Sequence, residues 1–159
     1  MAGKIDFSKS GICDEKIEEI LEKSKNADGR SAFRAIKHSK SENLKKEDFF
    51  PTIMEKNGFK MPDEKTQKKR RVEYFGMSVL DSFDNAYNLV QTVPALRNEV
   101  KCYAVGTVVG SKGTISEKNA VGHYQYYLFE PNSNTKNPFT DFKYYEEDNK
   151  NGWVRFNWF

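Results

Sequence analysis

Apolar and polar positions recur with two different periods along this chain, and each change of period marks an element. Residues 14–25 have the helical one: Ile17, Ile20, Leu21 and Ser24 fall at i, i+3, i+4 and i+7, with Glu18, Glu19, Glu22 and Lys23 outside. Asp14 is placed to cap that helix, and residues 26–29 to stop it. Residues 32–38 predict a short strand, with Arg34, Ile36 and His38 on one face and Phe33, Ala35 and Lys37 on the other. A polar stretch over 39–46 leads to Asp48, which caps a predicted short helix with Phe49, Phe50, Ile53 and Met54 on its apolar side. Pro51 is tolerated in its first turn, and Gly58 ends it.

Residues 60–71 have no apolar periodicity and carry Pro62 and a charge run, which predicts an exposed and mobile connection. Residues 72–80 read as a strand interrupted at Gly76. Asp81 then stands as the N-cap of a helix bearing Phe83, Ala86, Tyr87 and Val90, which Val93 and Pro94 bring to an end. Residues 100–109 form a β-branched strand with a turn at 110–113 leading into Thr114 and Ile115. In residues 122–129 strand parity sets His123, Gln125, Tyr127 and Phe129 against Tyr124, Tyr126, Leu128 and Glu130. Neither face is plainly polar, so this strand belongs inside a sheet covered on both sides. Residues 139–145 and 153–159 pair as a final hairpin.

These elements predict one α+β domain over 1–159: a twisted, mainly antiparallel sheet of about five to seven strands with about three helices packed on it. Within it, 1–59 is a helical basic part, 60–71 an exposed basic loop, and 72–159 a strand-rich part. Composition sharpens this division. Residues 1–71 hold 18 Lys and Arg against 13 Asp and Glu, whereas 72–159 hold 8 against 10, so the basic character is local. Aromatic residues make up 14% of the chain, which compensates in buried area for an apolar content of 37%.

The opening residues lack a secretory apolar run, and no stretch is long enough to span a bilayer, so the expected compartment is cytoplasmic with no membrane partner. Cys13 and Cys102 stand far apart and outside any metal-spaced pair, which predicts free thiols and no metal site. The chain has no P-loop, no Gly-x-Gly-x-x-Gly, no His-Glu-x-x-His and no Gly-x-Ser-x-Gly. P-loop hydrolysis, Rossmann cofactor binding, zincin chemistry and the hydrolase elbow are therefore disfavoured.

Candidate chemistry rests on few residues. His123 is the candidate acid or base, because only histidine titrates near neutrality without special help. Arg34, within an apolar strand, needs either a structural carboxylate or an anionic ligand. Ser78 lies where a strand end meets a helix start, and Tyr127 and Glu130 complete a candidate polar and aromatic ligand cleft. Arg34 on an early strand, Phe75 to Ser78 on the next, a helix with Ala86, and later strands together resemble the layout of ADP-ribosyltransferases and RES toxins. That resemblance implies an NAD cofactor, with Arg34 and Ser78 lining its pocket and Glu117 or Glu130 as the acid. The Glu-x-Glu pair and the Ser-Thr-Ser triplet of such enzymes are missing. Lys68, Lys69, Arg70 and Arg71, within the basic run 65–71, are candidate nucleic-acid contacts, with no aromatic residue between them to stack a base. The missing catalytic motifs favour a small binding or interaction module of the immunity, inhibitor or adaptor type. Its expected partner is another protein, with a nucleic acid second and NAD-using catalysis as the alternative.

Overall fold

The computed structural model describes residues 5–36, 46–100, 102–131, 139–146 and 154–155, with side chains over 5–36, 48–100 and 103–131. Among the described residues eight antiparallel strands form one sheet in the order β1-β5-β6-β3-β2-β4-β7-β8. They are β1 (Ser24–Asn26), β2 (Ser31–Ile36), β3 (Met77–Leu80), β4 (Cys102–Val108), β5 (Gly113–Ser116), β6 (His123–Leu128), β7 (Phe139–Glu146) and β8 (Val154–Arg155). Among the same described residues five α-helices accompany them: α1 (Asp14–Lys23), α2 (Thr52–Glu55), α3 (Glu64–Lys68), α4 (Phe83–Thr92) and α5 (Pro94–Glu99). The α+β class and the single antiparallel sheet agree with the sequence pattern. Among the described residues no helix is long and apolar enough to cross a membrane.

The order of the strands forces the sheet to curl. β4 and β5 are four places apart but are joined by residues 109–112 alone, and β1 and β2, also four places apart, are joined by 27–30. In a flat sheet four places are about 19 Å. The first connection is a turn, with Lys112 N–H and Gly113 N–H both donating to the Val109 carbonyl, and so cannot be extended. Inside the curl lie Tyr124, Tyr126 and Leu128 of β6 with Ile36, Met77, Val79, Ala104 and Ile115. The Tyr124 hydroxyl crosses to donate to the Ser31 carbonyl at 2.6 Å, and the Tyr126 hydroxyl accepts from Val109 N–H at 3.1 Å. Burial raises the pKa of both phenols, which stay protonated.

Two clusters cover the outside. Tyr127 and Phe129 pack with Phe7, Ile12, Ile20, Phe50 and Phe75, while Leu80 and Tyr103 pack beneath Ala86 and Val90 of α4. β6 is therefore buried on both faces, as its lack of a polar face requires.

Several local expectations change. α1 starts after Cys13, with Asp14 inside its first turn, and it buries Lys16 and Ile20 while Leu21 is exposed. Ser24 leaves the helix to begin β1, its hydroxyl meeting the Ile20 carbonyl at 2.6 Å and the Thr114 hydroxyl at 2.9 Å. Residues 72–75 form a 3-10 turn and not a strand. Ser82, not Asp81, caps α4, its hydroxyl accepting from Asn85 N–H at 3.1 Å. Pro94 ends α4 and at once opens α5, where its missing N–H costs nothing. Of the final hairpin, Lys143 and Tyr144 pair with Arg155 and Val154, and the rest of 153–159 lies outside the described residues. His38 and most of the polar stretch 39–46 lie outside the described residues.

The basic connection is also ordered. Asp63 caps α3, accepting from Thr66 N–H, and Gln67 on its inner side is only 3% exposed. The Gln67 amide accepts from Cys13 N–H (2.7 Å) and donates to the Gly11 (3.0 Å) and Pro62 (2.7 Å) carbonyls. Hydrophobic periodicity does not register a helix anchored by one amide. Gln67→Ala leaves these three groups without partners and is expected to destabilise by about 2–4 kcal/mol in chemical denaturation. Lys69→Ala should leave the denaturation midpoint where it is.

Candidate functional site

β2 and β3 pair through one residue pair only, Phe33 with Leu80. Beyond it they separate, and residues 48–52 fill the wedge: Phe49 enters the interior cluster, Phe50 the outer one, and Thr52 N–H donates to the Gly76 carbonyl at 3.3 Å. Arg34 ties the wedge shut. Its Nε donates to the Asp48 carbonyl (3.0 Å), Nη1 to the Ser78 carbonyl (2.9 Å) and Nη2 to the Glu55 carboxylate (2.5 Å). The side chain is 12% exposed, and the fork is engaged by the protein's own acceptors.

His123, Gln125 and Tyr127 share the opposite face of the sheet. Leu80 pairs with both Phe33 and His123, so parity puts Arg34 on the side of Ala32 and Ile36, away from the histidine. The two meet only through Ser78, whose carbonyl takes Arg34 and whose hydroxyl is hydrogen-bonded to His123 Nε2. Burial lowers the His123 pKa from its ordinary 6.5, which keeps the ring neutral at pH 7. Among the described residues no carboxylate is hydrogen-bonded to the ring, so Ser78 and His123 are a pair without the orienting third group of a nucleophilic triad. Gln125 is 7% exposed, its Oε1 has no partner, and its side chain packs against Gly76 so closely that a Cβ there would lie 2.7 Å from Gln125 Cβ. Tyr127 is 1% exposed and offers no ring face to solvent. Glu130 lies past the end of β6, with Lys9 at 3.8 Å. Glu117 is exposed, and Asp81 accepts from Asn85 Nδ2 (2.7 Å) and Lys118 Nζ (3.0 Å).

A different constellation reaches the surface. Lys65, Lys68, Lys69, Arg70 and Arg71 are all exposed on and after α3. Lys68 pairs with Glu64 at 3.3 Å and Arg71 with Glu73 at 3.3 Å. Arg70 instead lies over the Tyr74 ring, 5.9 Å from its centroid, and Lys56 from the end of α2 lies over the same ring at 5.5 Å. Neither cation has a carboxylate partner among the described residues. With Asn57 and Thr66 they line a pocket of about 40 Å³ floored by Ile53. At ~10–15 Å³ for one water, this is room for roughly three waters.

Sequence reasoning found the basic run but not its aromatic partner. Tyr74 reads as a strand residue, and the 3-10 turn over 72–75 is what bends it back toward Arg70. No local signal links Lys56 to it. Among the described residues no three His, Cys, Asp or Glu side chains form a group that could hold a metal ion. No family model, curated protein or solved structure matches the chain.

Two outcomes follow for the interior residues. Arg34→Ala strands Glu55 and two carbonyls and is expected to cost about 2–4 kcal/mol in urea denaturation, with Arg34→Lys restoring only part. For His123, as the pH falls through 6.5 the unfolded chain takes up a proton that the folded one refuses, so stability declines. Between about pH 7.5 and about pH 5.5 the parent should lose more stability than His123→Gln in melts run side by side.

Proposed function

We propose that this protein is a small cytoplasmic binding module without catalytic activity of its own, and that its partner is a nucleic acid strand held along the basic face of α3. One observation carries the reading: Lys56 and Arg70, neither with a carboxylate partner among the described residues, both lie over the ring of Tyr74 and line a small pocket of about 40 Å³ with it. Proteins that hold nucleic acids without reading their sequence combine positive charge for the backbone with aromatic rings for the bases. Lys65 and Lys69 are exposed on and just after α3 and add to its positive charge.

The interior polar residues support binding over NAD-dependent chemistry. Arg34, which would have to meet the cofactor's phosphates, spends its donors on Asp48, Ser78 and Glu55. Tyr127, which would stack on a planar group, is enclosed among Phe7, Ile20 and Phe75.

Replacing Lys68, Lys69, Arg70 and Arg71 with Ser or Gln should leave the melting temperature nearly unchanged and abolish retention of nucleic acid at low salt. In the parent, affinity should fall steeply with salt. Lys56→Gln and Arg70→Gln should each flatten the slope of log K against log salt by roughly 0.7–0.9, the share of one phosphate contact. Retention that persists in the fourfold variant would rule the reading out.

A further inference from the structure

We infer that the strand is single, and that Phe59 is the platform on which one of its bases stacks. This rests on the nucleic-acid reading above and adds to it a preference for unpaired over duplex strands. Phe59 is 49% exposed and has φ 64°, the one non-glycine residue in left-handed backbone among those described. A bulky residue in that conformation is a true outlier, because its Cβ crowds the backbone where glycine would not. Gly58 before it has the same φ. Such strain is retained where surrounding structure imposes it, and here the imposing bonds are Phe59 N–H to the Met54 carbonyl (2.8 Å), Lys60 N–H to the Asn57 carbonyl (3.3 Å) and Asn57 Nδ2 to the Lys60 carbonyl (2.9 Å). The turn thus holds an aromatic ring at the surface, propped edge-on against Phe50 at 6.1 Å between centroids.

That same turn supplies part of the lining of the pocket beside Tyr74. Lys56 and Asn57 line it, and Phe59 follows two residues later. A cradle for one phosphate and a ring for one base therefore share a single short segment of chain. Phe59 is the exposed aromatic surface on that segment. In a duplex the base faces are covered by their neighbours, and a ring standing on a convex turn cannot reach them without unstacking. In a single strand every base offers a free face, and stacking on it is indifferent to sequence.

The test is fluorescence anisotropy at low salt with a labelled oligothymidylate, a labelled hairpin duplex and labelled heparin, on the parent, Phe59→Gly, Phe59→Tyr and the pair Lys56→Gln and Arg70→Gln. Glycine suits the backbone at 59, so Phe59→Gly should melt no earlier than the parent. Should it melt early, Phe59→Asn, which also tolerates left-handed backbone, takes its place with the same expectation. Phe59→Gly should weaken oligothymidylate binding about tenfold or more, the loss of one stacked base, with duplex and heparin binding unchanged. Phe59→Tyr should stay within about twofold of the parent, because its ring stacks equally well. If Phe59→Gly binds oligothymidylate like the parent while Lys56→Gln and Arg70→Gln weaken it, the platform is wrong and the basic face stands. If the parent binds no strand, both are wrong.

Discussion

A guanidinium at the mouth of a split sheet is the interaction on which the arrangement depends. β2 and β3 touch at one pair, and a sheet opened at its middle would expose unpaired backbone groups and two apolar clusters to water. The chain closes the gap with itself. Residues 48–52 slide into it, Phe49 and Phe50 anchor the plug on opposite faces, and Arg34 fastens the plug to Ser78 through three acceptors that no aliphatic side chain could satisfy. Because Glu55 is one of them, the same interaction fixes the end of α2, and the next residue, Lys56, is thereby held over Tyr74. An internal bond of the core thus sets the position of a surface cation.

What the sequence revealed follows from which forces leave a local trace. The burial of β6 on both faces could be read from an aromatic run without a polar side, and the antiparallel class from short strands and turn residues. Long-range constraints were hidden. Nothing near Gln67 signals that its amide serves Gly11, Cys13 and Pro62, and so a charge run read as a mobile loop is a capped helix pinned from within. The curl of the sheet was equally out of reach, because it depends on which strands pair, and β4 turns away from β5 to pair with β2 and β7.

The candidate site shows the same division. Arg34, Ser78 and His123 were recognisable as polar residues in apolar surroundings, and they do come close together, yet the sheet stands between Arg34 and His123 and only Ser78 touches both. Their hydrogen bonds run to one another, to the backbone and to the Glu55 carboxylate, so these polar groups are satisfied within the protein. The basic run was legible as charge alone. Its aromatic component is assembled from Tyr74 and from the turn after α2, neither of which joins the run by sequence spacing.

The central claim is that the working surface is the face around Tyr74 and not the polar interior. Amide chemical-shift mapping of the folded protein during titration with an unstructured oligonucleotide tests it most directly. Perturbations should be confined to residues 56–60 and 66–74, with Ser78, His123 and Gln125 unmoved. Shifts centred on Ser78 and His123, with residues 56–60 and 66–74 silent, would contradict it.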